Sequence, residues 1–151
     1  MLTKPKKSLG QNFLIDKNIL QKIVNSVSIY KNKEILEIGP GTGNLTHYLV
    51  KKNPKKIFVV EKDSELSLFL SEKFKNKINI INEDVLKISE NLISKQKLIV
   101  FGNLPYNIST QILSKWIISG YNKKWYKSLI LMFQKEVANR ILAKTNSKDY
   151  G

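Results

Sequence analysis

Asn103-Leu104-Pro105-Tyr106 puts a carboxamide, a fixed turn and an aromatic ring into one short stretch. These residue types suit a reaction in which a poorly nucleophilic aromatic amine must be turned towards an electrophilic carbon. An Asn side-chain oxygen and a backbone carbonyl can accept hydrogen bonds from the amine and hold its lone pair in line. Pro105 fixes φ of the turn. The Tyr106 ring offers a stacking face for a base taken out of its helix. This chemistry requires neither a general base nor a metal, which suits a chain with one histidine and no cysteine. An isolated Asn-x-Pro-Tyr match is more often a turn with a packed ring, so its setting decides between the two.

That setting is a series of polar or glycine-rich segments, each at the end of an apolar run. Gly39-Pro40-Gly41-Thr42-Gly43 lets the backbone approach a ligand closely. A dinucleotide fingerprint would need glycine at Asn44, and no Lys-Ser/Thr pair follows to make a phosphate loop. Glu61 follows Gly43 by 18 residues and can accept from both hydroxyls of a ribose. Asp84 can accept from the exocyclic amine of an adenine. The bland alternatives are a tight turn, a solvated strand end and a helix cap, respectively. Together the three describe a nucleoside ligand without phosphates, and S-adenosylmethionine fits. Phe133 divides evenly between a second face of a base sandwich and ordinary core. His47, inside a helical stretch, reads as structural and not catalytic, and Trp116 and Trp125 read as packing residues.

The elements that must position these residues alternate between apolar runs and amphipathic stretches, the signature of βαβ units and a mostly parallel sheet. Strands are predicted at Glu34 to Ile38, Lys56 to Glu61, Ile78 to Asn82, Lys97 to Gly102 and Ser128 to Phe133. Helices are predicted at Asn18 to Val27, Asn44 to Lys51, Asp63 to Phe74, Ser109 to Ser119 and Gln134 to Ala143, with a short weak one around Ile88 to Ile93. Asp63 or Ser64 is expected to cap the third, and Ser109 or Thr110 to start the helix after Tyr106. The fold class is α/β, a Rossmann-like sheet with helices on both faces. Open parallel sheets bind ligands outside the carboxyl ends of their strands, where every residue singled out above would lie.

Composition narrows the partners. At 151 residues the chain suits one domain, and 42% hydrophobic residues exclude compositional disorder. The absence of cysteine excludes disulfide scaffolds and thiolate metal sites. The longest apolar run, Leu129 to Phe133, is too short to cross a bilayer, and no apolar segment follows the basic start as in a secretory signal. A cytoplasmic protein without membrane or metal partners is expected. The formal charge is +14, from 26 basic and 12 acidic residues. All basic residues but Arg140 are lysine, and Ile and Asn are abundant, so AT-rich coding explains part of the bias. It does not explain the clusters Lys4/Lys6/Lys7, Lys51/Lys52/Lys55/Lys56, Lys73/Lys75/Lys77 and Lys123/Lys124/Lys127. Clustered cations favour a phosphate backbone.

The motifs together resemble the ribosomal RNA adenine dimethyltransferase family, the KsgA type that modifies small-subunit ribosomal RNA. The segments carrying the resemblance are Lys7 to Leu14, Glu37 to Gly43, Asn103 to Thr110 and Gln134 to Ala138. The resemblance implies that Gln11, Asn12 and Leu14 fold over the cofactor S-adenosyl-L-methionine and that Gly39 and Gly41 pass beneath its methionine part. It likewise implies that Glu61 holds the ribose, Asp84 reads the adenine, Asn103 lies against cofactor and target amine, and Tyr106 stacks on the target adenine. Pro105 and Phe133 complete the expected catalytic group, Phe133 at a position that varies in the family. The implied activity is dimethylation of the N6 amines of two adjacent adenines near the 3′ end of small-subunit ribosomal RNA, with the immature 30S-type subunit as partner and a monomeric enzyme. Two alternatives stand beside it: a large-subunit enzyme of the erythromycin-resistance type, and an inactive fragment that binds RNA or cofactor. Leu104 and the long Gly10-to-Asp16 start favour the small-subunit type. The turn-like Thr145 to Gly151 should lead into another element, so 1–151 is expected to be the N-terminal portion of the methyltransferase domain, without the family's C-terminal helical domain.

Overall fold

A computed structural model describes residues 11–122 and 124–150. The Lys4/Lys6/Lys7 cluster, Lys123, Gly151 and the Lys7-to-Gly10 part of the first motif lie outside the described residues. Five strands form one sheet: β1 (Glu34–Ile38), β2 (Lys56–Val60), β3 (Asn79–Ile81), β4 (Leu98–Asn103) and β5 (Tyr126–Met132). Their order is β3-β2-β1-β4-β5, and every pairing is parallel. The α-helices are α1 (Lys17–Asn25), α2 (Asn44–Lys51), α3 (Ser64–Phe74), α4 (Ser109–Asn122) and α5 (Lys135–Leu142).

Strand alternation sorts the core into two layers. Ile35, Ile57, Val59, Ile99 and Phe101 pack with Leu20 and Val24 of α1, Leu45 and Leu49 of α2, and Leu70 and Phe74 of α3. Their neighbours Leu36, Ile38, Val60, Leu98 and Val100 face the opposite side, against Ile112 and Trp116 of α4, with Val85, Leu104 and Trp125. Both faces are therefore covered, as an all-parallel sheet requires. The expected packing role of the two tryptophans holds: both are buried, with their rings in an edge-to-face contact. Caps fix the helix starts. Asp16 Oδ1 accepts from the Asn18 and Ile19 amides, and Asp63 rather than Ser64 caps α3 by accepting from Glu65.

The differences from the sequence reading are local. β5 begins at Tyr126, because Leu98 pairs with Tyr126 across an irregularity in the register. β4 extends to Asn103, which pairs with Met132. The stretch around Ile88 to Ile93 contains only a 3₁₀ turn at Glu90–Leu92, too short a periodic run to carry an α-helix.

Gly43 starts α2 in the left-handed region, with φ of 78°. A Cβ there would sit 2.5 Å from Phe74 and 2.8 Å from Leu70, both in the core. Gly43→Ala is expected to lower unfolding free energy by about 2–4 kcal/mol, combining left-handed strain with overpacking. Urea titration checks this; a midpoint within error of the parent would show that α3 yields freely.

Candidate functional site

The strand order reverses beside β1, where neighbouring connections leave in opposite directions and open a crevice at the carboxyl edge. Register aligns Ile38 with Val60 on one side and Gly102 on the other. The next residues, Gly39, Glu61 and Asn103, therefore stand in a row along the edge. A cavity of about 170 Å³ opens there, lined by those three along with Gln11, Asp84 and Pro105, among others. A smaller one lies beside it under the glycine turn, where Glu37, Leu14 and Asn44 join the walls.

The segment carrying Gln11, Asn12 and Leu14 crosses this edge and is held by three side chains from below. Gln11 Nε2 donates to Asp63 Oδ2 at 3.2 Å, Asn103 Nδ2 donates to the Asn12 carbonyl at 2.7 Å, and Asn44 Nδ2 donates to the Leu14 carbonyl at 2.8 Å. Phe13 lies on the glycine turn, and a Cβ on Gly41 would stand 2.8 Å from its ring. The bond to Asn12 fixes the Asn103 carboxamide with its Oδ1 pointing away from that carbonyl. That oxygen accepts no hydrogen bond among the described residues.

Three carboxylates define the site's electrostatics. Glu61 is buried, and burial raises its pKa against the hydrogen bonds it accepts from the Asp63 and Gly41 amides, at 3.0 and 3.2 Å. It thus ties the glycine turn to the end of β2, and each oxygen keeps a lone pair for a ligand. Asp84 accepts from the Leu86 amide at 2.9 Å and from Lys62 Nζ at 2.9 Å, bonds that hold its pKa below the ordinary value. It therefore does stabilise the following turn, the bland role, while still facing the cavity. Glu37 was missed by the sequence reading. It is 1% exposed, and burial raises its pKa to about 7; Thr46 opposes that shift and Glu61 adds to it. Thr46 lies close enough to oppose the shift, but among the described residues neither Glu37 Oε2 nor Thr46 Oγ1 makes a hydrogen bond of good geometry. The signal was available: a glutamate between Leu36 and Ile38, inside a strand buried at every position.

Pro105 and Asn103 line the main cavity, whereas Tyr106 stands outside its lining and is 39% exposed. Phe133 follows β5, packs half-buried against the α4-side core, and is absent from the walls of both cavities. The structure therefore brings together the expected cofactor residues with Asn103 and Pro105, and leaves the two aromatic rings apart from them. His47 is exposed on α2, where slight burial and then Lys51, Lys73 and Lys77 lower its pKa. No helix of the described residues is long and apolar enough to cross a membrane.

The family model for ribosomal RNA adenine dimethylase matches residues 2–151. The chain belongs to that family. Over all 151 residues it is 62% identical to a ribosomal RNA small subunit methyltransferase A of Pelagibacter ubique, of which it covers 57%. Among solved structures it resembles a dimethyladenosine transferase from Plasmodium falciparum, with a TM-score of 0.79 and 30% identity, covering 93% of this chain and 50% of that one. The 23S rRNA methyltransferase ErmE matches less closely, with a TM-score of 0.71 and 25% identity over 93% of this chain and 53% of that one. The chain thus spans about half the length of the relatives it matches. The Pelagibacter relative is named for the small subunit and ErmE for 23S rRNA, and the sheet is that of the expected Rossmann-like methyltransferases.

Proposed function

We propose that the protein acts on immature small ribosomal subunits, dimethylating the N6 amines of two adjacent adenines near the 3′ end of their ribosomal RNA with methyl groups from S-adenosylmethionine. The observation that carries this reading is Asn103, tied to Asn12 and with its Oδ1 accepting no hydrogen bond among the described residues, in the lining of the cavity that also holds Glu61 and Asp84. The names of the relatives support the substrate assignment.

The residues present fit the cofactor. Gly39 and Gly41 leave backbone exposed where side chains would fill the turn, with Phe13 already against Gly41. The unpartnered Oε2 of Glu37, buried beside that turn, is an acceptor suited to an ammonium group. Glu61 would hold the ribose hydroxyls and Asp84 the adenine amine, with Gln11, Asn12 and Leu14 above them. When bound, the cofactor supplies an electrophilic methyl group on a sulfonium. The chain's own contribution is positional. Asn103 Oδ1 accepts from the target amine and turns its lone pair towards the cavity, Pro105 holds the following turn, and the exposed Tyr106 ring stacks on the extruded base. Phe133 remains a candidate second stacking face that would have to be approached from the β5 side.

Glu61 provides the direct test of the cofactor site. Glu61→Ala removes the ribose acceptor and frees the Gly41 amide, and is expected to weaken S-adenosylhomocysteine binding by on the order of 1.5–3 kcal/mol. Isothermal calorimetry measures this. Unchanged affinity would reduce Glu61 to a brace for the glycine turn.

A further inference from the structure

The loop between β3 and β4 carries Asp84, Val85 and Leu86 into the main cavity, yet it contains little regular structure of its own. Besides core packing and the Lys62 contact to Asp84, a side chain from α4 holds it. Lys115 Nζ donates to the Val85 carbonyl at 3.0 Å, to the Ile88 carbonyl at 2.7 Å and to Glu90 Oε1 at 2.8 Å. All three ammonium hydrogens are thereby spent on one short stretch of loop. The same Glu90 oxygen accepts from Trp116 Nε1 at 2.6 Å, and the Glu90 and Trp116 side chains are almost wholly buried. Lys115 is itself largely covered, with 28% of its side chain exposed.

We infer that Lys115 is a positioning residue for base recognition, docking the Asp84-to-Ile88 turn onto α4 so that the Asp84 carboxylate faces the nucleobase of the cofactor. The inference rests on the cofactor reading above. Three features support it. The turn is internally tied, with the Leu86 amide on Asp84 Oδ1 and the Lys87 amide on the Asp84 carbonyl, so it moves as a unit. Lys115 grips that unit at the residue next to Asp84 and again beyond Lys87. α4 itself starts at Ser109, directly after Asn103, Leu104, Pro105, Asn107 and Ile108 have lined another part of the cavity. One lysine therefore sets the separation between the wall that would read the adenine and the wall that would present the target amine. A buried ion pair of this kind adds little net stability, since desolvation offsets the attraction. Its three-point geometry is better suited to fixing a position.

The test compares binding of S-adenosylhomocysteine with that of S-inosylhomocysteine, in which an oxo group replaces the adenine amine. The unaltered chain is expected to prefer the adenine form. Lys115→Met keeps the apolar stem but removes the three donors, and should reduce that preference by about tenfold, the worth of one hydrogen bond to a charged group. Lys115→Met combined with Glu90→Gln removes the stranded buried charge, so melting temperature should recover relative to the single variant while the base preference stays reduced. Glu90→Gln alone leaves both loop carbonyls bound and should keep the preference. An intact preference in the folded double variant would overturn the proposal, leaving Lys115 as a stabilising contact only. Failure of the unaltered chain to bind S-adenosylhomocysteine would overturn the cofactor reading itself, and with it this inference, before any variant is compared.

Discussion

Asn103→Ala is expected to lower methyl transfer by roughly 10²–10³-fold, the loss typical of removing one preorganised polar partner from a reacting centre. On the proposed function the side chain has two tasks. Its Oδ1 would accept from the target amine, while its Nδ2 holds the Asn12 carbonyl at 2.7 Å and so secures the segment over the cavity. Asn103→Ala should therefore also weaken S-adenosylhomocysteine binding, and Asn103→Asp, which keeps an acceptor but loses the donor, should share that weakening. Tyr106→Ala should cost less, roughly ten- to a hundredfold, because it removes a stacking face. Tyr106→Phe should retain most activity, since in the proposed geometry the ring and not the hydroxyl carries the role. The assay is transfer of tritiated methyl groups from S-adenosylmethionine to immature small subunits, with each variant built into a chain of the length of the 62%-identical relative. If Tyr106→Phe were as damaged as Tyr106→Ala, the hydroxyl would be carrying a proton and the lone-pair geometry would not be the mechanism.

What could be read without coordinates was whatever repeats locally. The alternation of apolar runs with amphipathic stretches located the five strands and five α-helices of the described residues, and the rule that ligands gather at carboxyl ends selected Gly39, Gly41, Glu61, Asp84 and Asn103 as one group. The errors fall where pairing across the sheet overrides the local pattern. Tyr126 joins β5 only because Leu98 lies opposite it, and Asn103 counts as strand because Met132 does. The contacts that tie the site together were not legible at all. Asn103 meets Asn12 across 91 residues of chain, Gln11 meets Asp63 across 52, and Lys115 meets Glu90 across 25. Periodicity carries no information at such separations. Glu37 is the intermediate case: its isolation in an apolar strand marked it as unusual, but only the fold shows that its Oε2 is left unpaired beside the glycine turn.

That buried carboxyl makes stability depend on pH in a defined direction. Glu37 has an ordinary value of 4.5, which burial raises to about 7 in the folded chain. Between those two values the folded state holds the proton and the unfolded state has released it, so unfolding is increasingly favoured as pH rises. The contribution is complete below about pH 4.5 and lost above about pH 7; at 1.36 kcal/mol per unit it amounts to about 3 kcal/mol. Glu37→Gln cannot ionise, so relative to the parent it should gain about 3 kcal/mol of stability across that window, whatever the offset between the two at low pH. Taking the difference between the two proteins cancels most of the slope from Glu61, whose pKa burial also raises. Denaturant titrations at several pH values measure that difference, and a gap that does not grow between pH 5 and 7 would mean that Glu37 is ionised in the fold throughout. Binding should reverse the penalty. An ammonium group placed against Oε2 favours the carboxylate, so S-adenosylhomocysteine binding near pH 6 should release a proton, and its heat should vary with the ionisation enthalpy of the buffer. Glu37→Gln should diminish that variation, which would link this unpaired buried carboxylate oxygen to the ligand that completes it.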